Sequence, residues 1–298
     1  MKAFLAFLAV AMLSVSGCVQ TGGVDYEVAG GAVSYSDRPE PSYHLQLFNR
    51  TESAAVYNIT FMSRGKDIYG FLSIPYSCTE SAPCPAFVLL HAQGLRKKAE
   101  QRGLGNMLNG MGFITLAIDQ RGHGQTGGQI SGMEAELDAF IGGEETVQSM
   151  MVYDCLASYD ILVSLRQSEP GMVFVSGQSM GGRYAAIAAA IEPGIRGAML
   201  ISTAGYGLPS SGFSNIDEFY KYVDPDSYIA DISPRKLLMV HGAKDWIIPL
   251  EQAERSFGLA NEPKKMIVVD ERFHGFYNIP KNSSLPGSLR EGVEWLLL

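Results

Sequence analysis

The stretch from residue 171 to residue 194 constrains the fold of this chain more than any other. It opens with the apolar run Met172-Val173-Phe174-Val175, passes through Gly177-Gln178-Ser179-Met180-Gly181 and continues into an Ala-rich segment. Short β-branched runs favour strands, and Ala favours helices. The pattern therefore predicts a strand, a sharp turn and a helix, with Ser179 at the turn between glycines that let strand and helix approach closely.

A serine at such a turn is a candidate nucleophile. The helix that follows would direct the backbone amide of Met180 toward negative charge that develops on a bound acyl group. The same pattern also arises by chance in ordinary turns, because the chain contains 33 glycines. A nucleophile at Ser179 therefore requires an acid and a histidine further along the chain.

From residue 54 onward, apolar runs alternate with helical patterns. Alternating residues at 55–61 and 68–74 predict an antiparallel hairpin. Continuous apolar runs suit strands that are buried on both faces. These predicted strands lie at 87–90, 113–118, 198–202, 237–240 and 266–269, with helices at about 98–111, 144–166, 249–259 and 289–297. The order predicts a mostly parallel sheet with helices on both faces, whose active site lies beyond the carboxyl ends of the strands.

Two loops that follow predicted strands carry an acid and a histidine. Asp245 follows the strand at 237–240, and His274 follows the strand at 266–269. Asp119 and Asp270 also end strands, but Asp119 belongs to a loop-forming motif and Asp270 precedes the histidine loop too closely, so we favour Asp245. Three other histidines at strand ends or in loop motifs are expected to be structural hydrogen-bonding groups: His91, His123 and His241.

Ser179, Asp245 and His274 occur in the chain order serine, acid, histidine that is typical of the α/β-hydrolase superfamily, and the chain resembles that superfamily from about residue 55 to the C terminus. The matching segments are the serine turn, Asp119-Gln120-Arg121-Gly122-His123-Gly124, Gly242-Ala243-Lys244-Asp245 with Pro249, and His274-Gly275. The chain is similar both to esterases and dienelactone-hydrolase-like members and to the catalytic domains of prolyl-oligopeptidase-type and S33-type serine peptidases. The resemblance implies an α/β-hydrolase fold over residues 54–298, with a mostly parallel, doubly wound sheet.

This resemblance implies a role for each member of the triad. Ser179 would attack an acyl carbon, His274 would move its proton to the leaving group, and Asp245 would orient the imidazole. The expected function is cleavage of a small-molecule carboxylic ester through an acyl-enzyme intermediate. A serine peptidase that acts on short peptides is the alternative, and a catalytically silent binding module on the same fold is a third hypothesis. The sequence contains no cofactor motif.

Two further parts of the site are expected, the first from the resemblance and the second from the length and composition of a loop. The oxyanion hole is expected to combine the backbone amides of Met180 and Gln93. The family usually has His-Gly where this chain has His91-Ala92. The chain therefore departs from the family pattern in the segment that contains Gln93. Residues 205–232 are expected to form a short cap insertion whose aromatic side chains, including Phe213 and Phe219, line an apolar acyl pocket.

The N terminus has the pattern of an export signal. Residues 1–17 combine Lys2 with an apolar run that is too short to be a permanent membrane span. Val15-Ser16-Gly17-Cys18 resembles a lipobox, which makes Cys18 a candidate for lipidation, and an ordinary signal peptide is the alternative. Residues 18–53 are expected to be a tether. The sequence thus predicts an exported protein at the cell surface or in the periplasm, held to the membrane by a lipid anchor only.

Charge and cysteine usage limit the remaining functions. The net charge of −8 argues against a nucleic-acid partner, and the densest basic cluster, Arg96-Lys97-Lys98, is expected to be a solvated helix start. Cys78 and Cys84 flank a loop and could form a disulfide in an oxidising compartment. They have no second Cys or His pair with the spacing of a metal site. Cys155 is expected to be a buried free thiol.

Overall fold

A computed structural model describes residues 25–277, 279 and 281–298. The predicted export signal at 1–17 and the lipidation candidate Cys18 lie outside the described residues. The described strands are β1 (Asp25–Ala29), β2 (Ala32–Ser36), β3 (Tyr43–Arg50), β4 (Ala54–Ser63), β5 (Lys66–Pro75), β6 (Cys84–Leu90), β7 (Ile114–Ile118), β8 (Ser168–Gln178), β9 (Gly197–Ile201), β10 (Lys236–Gly242) and β11 (Lys264–Val269).

The helices fall between these strands, as the alternating pattern predicts. They are α1 (Lys97–Glu100), α2 (Asn106–Gly110), α3 (Met133–Ile141), α4 (Val147–Ser164), α5 (Met180–Ile191), α6 (Ser214–Val223), α7 (Leu250–Leu259) and α8 (Leu285–Leu297). A π-helical turn, Gln101–Gly105, joins α1 to α2, and two 3-10 turns, Pro225–Ser227 and Ile229–Ile232, follow α6. None of the described helices combines the length and the apolar character that crossing a bilayer requires.

The central sheet has nine strands in the order β11-β10-β9-β8-β6-β7-β5-β4-β3. The strands from β11 to β7 are parallel, and β5, β4 and β3 continue the sheet in antiparallel pairing. The carboxyl ends of β6, β8, β9, β10 and β11 therefore meet at one edge of the sheet. This arrangement positions the loops that carry the predicted site residues beside one another.

Each face of the sheet has its own buried apolar cluster. Residues of α4 and α5, among them Leu156 and Ala185, pack on one face. Residues of α2 and α8, among them Leu108 and Leu289, pack on the other. The predicted two-sided covering of the sheet is confirmed, and it explains why the parallel strands read as continuous apolar runs.

The expected tether at residues 18–53 is wrong for its described part, because β1, β2 and β3 lie within it. Val33 is buried, and its amide donates a hydrogen bond to the Tyr228 hydroxyl at 3.1 Å. The Tyr26 hydroxyl lies 2.7 Å from that of Tyr222. These partners are almost two hundred positions away in the chain, so the local sequence pattern contains no sign of them.

Residues 205–232 are a packed layer. Phe219 is fully buried and contacts the ring of Phe140 on α3, with ring centroids 5.6 Å apart. The expectation that Phe219 lines an acyl pocket is therefore wrong, because its ring belongs to the core. Phe213 is 65% exposed and remains available to a ligand.

The three described cysteines agree with the expectations from the sequence. Cys78 and Cys84 are joined as a disulfide, with a Cα–Cα distance of 5.4 Å. Cys155 is a free thiol on α4 and is completely buried, and burial raises its pKa.

Candidate active site

Ser179 occupies a strained turn between β8 and α5. Its backbone has φ 52° and ψ −116°, outside the regions that non-glycine residues normally adopt. A Cβ atom at Gly177 would overlap the Gly181 carbonyl, so only glycine permits this close crossing of strand and helix. The Thr203 hydroxyl, two residues beyond β9, donates a 2.7 Å hydrogen bond to the Ser179 carbonyl. The Ser179 side chain is held by its backbone at the rim of the sheet and is partly exposed.

Asp245 and His274 are in direct contact. The His274 Nδ1 atom lies 2.8 Å from Oδ2 and 3.0 Å from Oδ1 of Asp245, and both residues are largely buried. Burial would raise the pKa of Asp245. The hydrogen bonds from His274 and from the amides of Ile247 and Ile248 outweigh that effect and lower the pKa below its ordinary value. Asp245 therefore stays ionised near neutral pH and holds Nδ1 of His274 as a donor, which leaves Nε2 free to accept a proton.

The Ser179 hydroxyl forms no hydrogen bond with His274 or with any other described residue in this conformation. A serine–histidine hydrogen bond often closes only when substrate is bound. Ser179 and His274 are nevertheless tied together through their neighbours. The Phe276 amide donates to the side-chain carbonyl of Gln178, which precedes Ser179.

A second hydrogen bond fixes the histidine loop to β9. The Gly275 amide donates to the Ser202 hydroxyl at 2.9 Å, and Ser202 is fully buried with a φ of 48°. Gly275 has a φ of 82°, which favours glycine directly after His274. Ser202 and Gln178 are thus site residues that the sequence analysis did not identify. The positive φ of Ser202 arises from the tertiary contact and has no sequence signal.

Glu100, at the end of α1, lies beneath the serine turn. Its side chain is 1% exposed, and both of its carboxyl oxygens lie 2.6 Å from the side-chain nitrogen of Gln178. Burial raises the pKa of Glu100 to about 8, and the hydrogen bond from Gln178 only partly opposes that shift. Within the described residues, no cation forms an ion pair with Glu100.

The loop after β6 begins with a histidine. His91 is fully buried, and burial lowers its pKa to about 4. Its Nδ1 lies 2.8 Å from the Ala92 carbonyl, and its Nε2 accepts the Gln120 amide at 3.1 Å. His91 is therefore a neutral hydrogen-bonding group that supports this loop, as the sequence analysis expected.

The two predicted oxyanion donors have free amides. Neither the Met180 nor the Gln93 backbone N–H forms a hydrogen bond with another described residue. The neighbouring Gly94 amide donates to His123 Nε2 at 3.1 Å and cannot serve. His123 therefore restrains the loop next to Gln93.

Two other predicted alternatives lie apart from the Asp245–His274 pair. Asp119 is buried and accepts hydrogen bonds from Lys97 Nζ at 2.6 Å and from the Gln125 amide at 2.9 Å. Lys97 is itself buried, so the expectation of a fully solvated basic cluster at 96–98 is wrong. Asp270 is exposed and pairs with Lys244 at 2.7 Å. His241 has its Nε2 2.9 Å from the Ile248 carbonyl.

An exposed aromatic group borders the histidine. Trp246 is 56% exposed, and its ring centroid lies 6.3 Å from that of His274. The Arg272 guanidinium lies 5.4 Å from the centroid of the Trp246 ring. Ile247 is 54% exposed beside it. Among the described residues, no group of three or more His, Cys, Asp or Glu side chains is placed to hold a metal ion.

Comparison with known proteins agrees with this architecture. A family model described as "Serine aminopeptidase, S33" matches residues 82–224, slightly under half of the chain. The uncharacterized protein YfhR of Escherichia coli O157:H7 is 30% identical over 171 residues, which is 54% of this chain and 53% of that protein. The putative hydrolase YtaP of Bacillus subtilis is 26% identical over 196 residues, or 58% and 64% of the two chains. The chain thus spans about half the length of the YfhR proteins that it matches.

Solved structures cover more of the chain. An acetyl xylan esterase from Paenibacillus sp. R4 has a TM-score of 0.71 at 17% identity, with 87% of this chain and 89% of that chain covered. Acetyl xylan esterase 1 from Thermoanaerobacterium sp. JW/SL YS485 has a TM-score of 0.68 at 17% identity, with the same coverage. Est1E from Butyrivibrio proteoclasticus, solved with ferulic acid, has a TM-score of 0.61 at 18% identity and covers 80% and 98%. The protein has the α/β-hydrolase fold, as the sequence analysis predicted.

Proposed function

We propose that this protein is a serine hydrolase that cleaves carboxylic esters through an acyl-enzyme intermediate. The observation that carries the proposal is the buried Asp245–His274 hydrogen bond at the sheet edge where Ser179 sits on its strained turn. The esterases with similar structures add support at the level of the fold.

The proposed reaction uses each group once. His274 Nε2 takes the proton of the Ser179 hydroxyl as its oxygen attacks the acyl carbon, and Asp245 stabilises the imidazolium that forms. The amides of Met180 and Gln93 donate to the oxyanion of the tetrahedral intermediate. The intermediate collapses as the alcohol leaves with the proton from His274. Water then attacks the acyl group by the same sequence of proton transfers and releases the acid.

A substrate panel on the form that starts after residue 18 tests this proposal. Nitrophenyl acetate, longer nitrophenyl esters, an acetylated xyloside and a ferulate ester are compared with aminoacyl and prolyl nitroanilides. We expect ester turnover that the Ser179→Ala variant loses by at least about 10³-fold, together with fluorophosphonate labelling that also disappears. Labelling that survives Ser179→Ala, or its absence in the wild type, would reject Ser179 as the nucleophile.

A serine peptidase is the second candidate, favoured by the match of residues 82–224 to the serine aminopeptidase model. The same triad would serve, because the acyl-enzyme route is shared by esters and amides. Exclusive cleavage of the nitroanilides, with loss in Ser179→Ala, would establish the peptidase and overturn the esterase proposal.

We also propose that the protein is exported and anchored by a lipid on Cys18. The proposal rests on the sequence of residues 1–18, and the Cys78–Cys84 pairing suits an oxidising compartment. Expression of the full chain in a bacterial host, with a fatty-acid label and membrane fractionation, tests it. We expect label and membrane retention that Cys18→Ser abolishes. Unlabelled protein with residues 1–18 intact would contradict export as a lipoprotein.

A further inference from the structure

A chain of three hydrogen-bonded groups connects α1, the serine turn and the histidine loop. The Glu100 carboxyl accepts from the side-chain nitrogen of Gln178 at 2.6 Å, and the side-chain oxygen of Gln178 accepts from the Phe276 amide. Gln178 directly precedes Ser179, and Phe276 lies two residues after His274. The Gln178 amide therefore has its nitrogen fixed from one side and its oxygen from the other.

Glu100 determines which way the Gln178 amide points. A Gln side chain has a donor end and an acceptor end that are nearly identical in shape. If the Gln178 amide were reversed, its nitrogen would face the Phe276 N–H, and two donors would be opposed. The carboxyl oxygens of Glu100 accept from the nitrogen and so hold the oxygen toward Phe276.

The packing around this group leaves little room for another arrangement. Glu100 and Gln178 are 1% and 2% exposed. A Cβ atom at Gly275 would lie 2.7 Å from the side-chain oxygen of Gln178. A Cβ atom at Gly103, in the π-helical turn, would lie 2.9 Å from the Phe276 carbonyl. The close approach of Gly275 to the Gln178 side chain and of Gly103 to the Phe276 backbone therefore holds the histidine loop against the serine turn and the π-helical turn.

We propose that Glu100 is a positioning residue for the triad: through Gln178 it holds the histidine loop beside the serine turn, so that His274 can reach Ser179 when substrate is bound. Glu100 touches no reacting atom and acts only through Gln178. The inference rests on the proposed hydrolase function. Misplacement of catalytic groups by about 1 Å costs about 10²-fold in rate. A residue that acts on the triad only through Gln178 can therefore still control kcat.

The charges around Glu100 give this residue a second effect. Lys97, on the same helix, is committed to Asp119 and Gln125, at 2.6 Å each. On the serine turn, the group that contacts Glu100 is the neutral side chain of Gln178. The histidine loop beyond it carries His274 and Tyr277, and burial raises the pKa of Tyr277. Since no cation in the described part of the chain pairs with it, ionised Glu100 would oppose the negative charge that develops on the substrate at Ser179.

The experiment uses four variants of the soluble form in steady-state ester hydrolysis from pH 6 to pH 10. Glu100→Gln keeps an acceptor for Gln178 and removes the ionisation. Gln178→Glu places a second carboxyl group directly against that of Glu100. The double variant with Glu100→Gln and Gln178→Glu restores a donor at 100 and an acceptor at 178. Glu136→Gln is the matched control, because Glu136 is another 1% exposed carboxyl with a pKa raised by burial, on α3 and outside this hydrogen-bonded chain.

We expect Gln178→Glu to lower kcat by about 10-fold to 10²-fold at pH 7 with little change in KM, and the double variant to recover most of that loss. The wild-type kcat should fall about tenfold as the pH rises through about 8, and Glu100→Gln should remove that fall while Glu136→Gln retains it. Equal kcat in all four variants, or an unchanged alkaline fall in Glu100→Gln, would overturn the proposal.

A readout without catalysis separates this inference from the proposed function. The amide proton of Phe276, observed by NMR in labelled protein, reports the hydrogen bond to Gln178 directly. We expect its resonance to titrate with Glu100 in the wild type and to stop doing so in Glu100→Gln. If the wild type hydrolyses no ester or amide, the proposed function fails even where this titration is seen. A Phe276 amide that is insensitive to Glu100 would reject the positioning role even in an active enzyme.

Discussion

Two buried carboxyl groups belong to the same candidate site, and they are held in opposite ways. Asp245 accepts hydrogen bonds from His274 and from two backbone amides, and its pKa is lowered despite burial. Glu100 accepts from the neutral amide of Gln178 and from no other described residue, and burial raises its pKa to about 8. Burial disfavours the charged form of both, so the number and kind of donors determine which one is ionised at neutral pH.

This difference separates two tasks. A carboxylate that must stabilise an imidazolium has to carry its charge, and Asp245 does so because donors surround it. A group that only orients a neighbouring amide needs acceptor atoms and no charge. A neutral Glu100 near pH 7 provides those atoms without adding negative charge behind Ser179, the proposed nucleophile.

Loss of the Asp245 charge is expected to give the largest effect. Asp245→Asn should lower kcat by about 10⁴-fold, because an amide no longer holds the required tautomer of His274 or stabilises its charged form. Asp270→Asn is the matched control, since Asp270 is an exposed carboxylate in the adjacent loop that pairs with Lys244. It should change kcat by less than about twofold. Ester hydrolysis by both purified variants measures this, and equal losses would mean that Asp245 has no special role.

Glu100 is expected to make stability fall with pH. Its pKa in the folded protein is about 8 against 4.5 for the ordinary group, so the folded state binds the extra proton between these values. The stabilising contribution is complete below about pH 4.5 and is lost as the pH rises through about 8. Glu100→Gln should therefore gain about 3–5 kcal/mol in free energy of unfolding, relative to the wild type, between pH 5 and pH 9.

Urea unfolding of the two proteins at both pH values measures this difference. Glu136→Gln, which removes another buried carboxyl, controls for the general effect of replacing such a group. Parallel pH profiles for the wild type and Glu100→Gln would show that Glu100 is already ionised at pH 5.

Asp245 should show the reverse dependence on pH. Its pKa is lowered in the folded state, so its stabilising contribution is present above the ordinary Asp value of about 3.9 and disappears as the pH falls through the folded value. The stability difference between wild type and Asp245→Asn should therefore shrink as the pH falls below about 4. Thermal unfolding at pH values on either side of 4 measures it, and a difference that does not shrink at acidic pH would contradict the assignment.

The smallest expected effect concerns the exposed neighbour of Asp245. In the proposed reaction His274 delivers its proton to the leaving group, so Trp246 beside it is expected to contact the alcohol side of an ester. Trp246→Ala should lower kcat/KM for phenyl acetate about threefold to tenfold relative to ethyl acetate. Phe213→Ala, which removes an exposed ring in the insertion, should leave that ratio unchanged. A ratio that is equal in wild type and Trp246→Ala would exclude this contact.

Much of the fold follows from local patterns that need no knowledge of the rest of the chain. The turn at Ser179 is visible in the sequence because glycine alone allows the crossing at Gly177, and because apolar runs mark strands buried on both faces. The preference for Asp245 over Asp270 also agrees with the contacts seen, since Asp245 meets His274 while Asp270 remains at the surface. These features depend on short-range sterics and on the chain order of loops at one sheet edge.

The expectations that failed all concern partners that are distant in the chain. Val33 contacts Tyr228, and Tyr26 contacts Tyr222, so both residues belong to the folded domain. Lys97 is buried in an ion pair with Asp119. The sequence shows which residues can carry charge or donate a hydrogen bond. It does not show which of them lose contact with water.

Local patterns along the chain thus predict the α/β order, the strained serine turn, and the acid and histidine at strand ends. The assembled fold places Glu100 under Gln178, with no ion-pair partner among the described residues, and places Asp245 among donors. These surroundings have no local signal, because desolvation and the partners of a buried carboxyl depend on elements that meet only when the sheet is assembled.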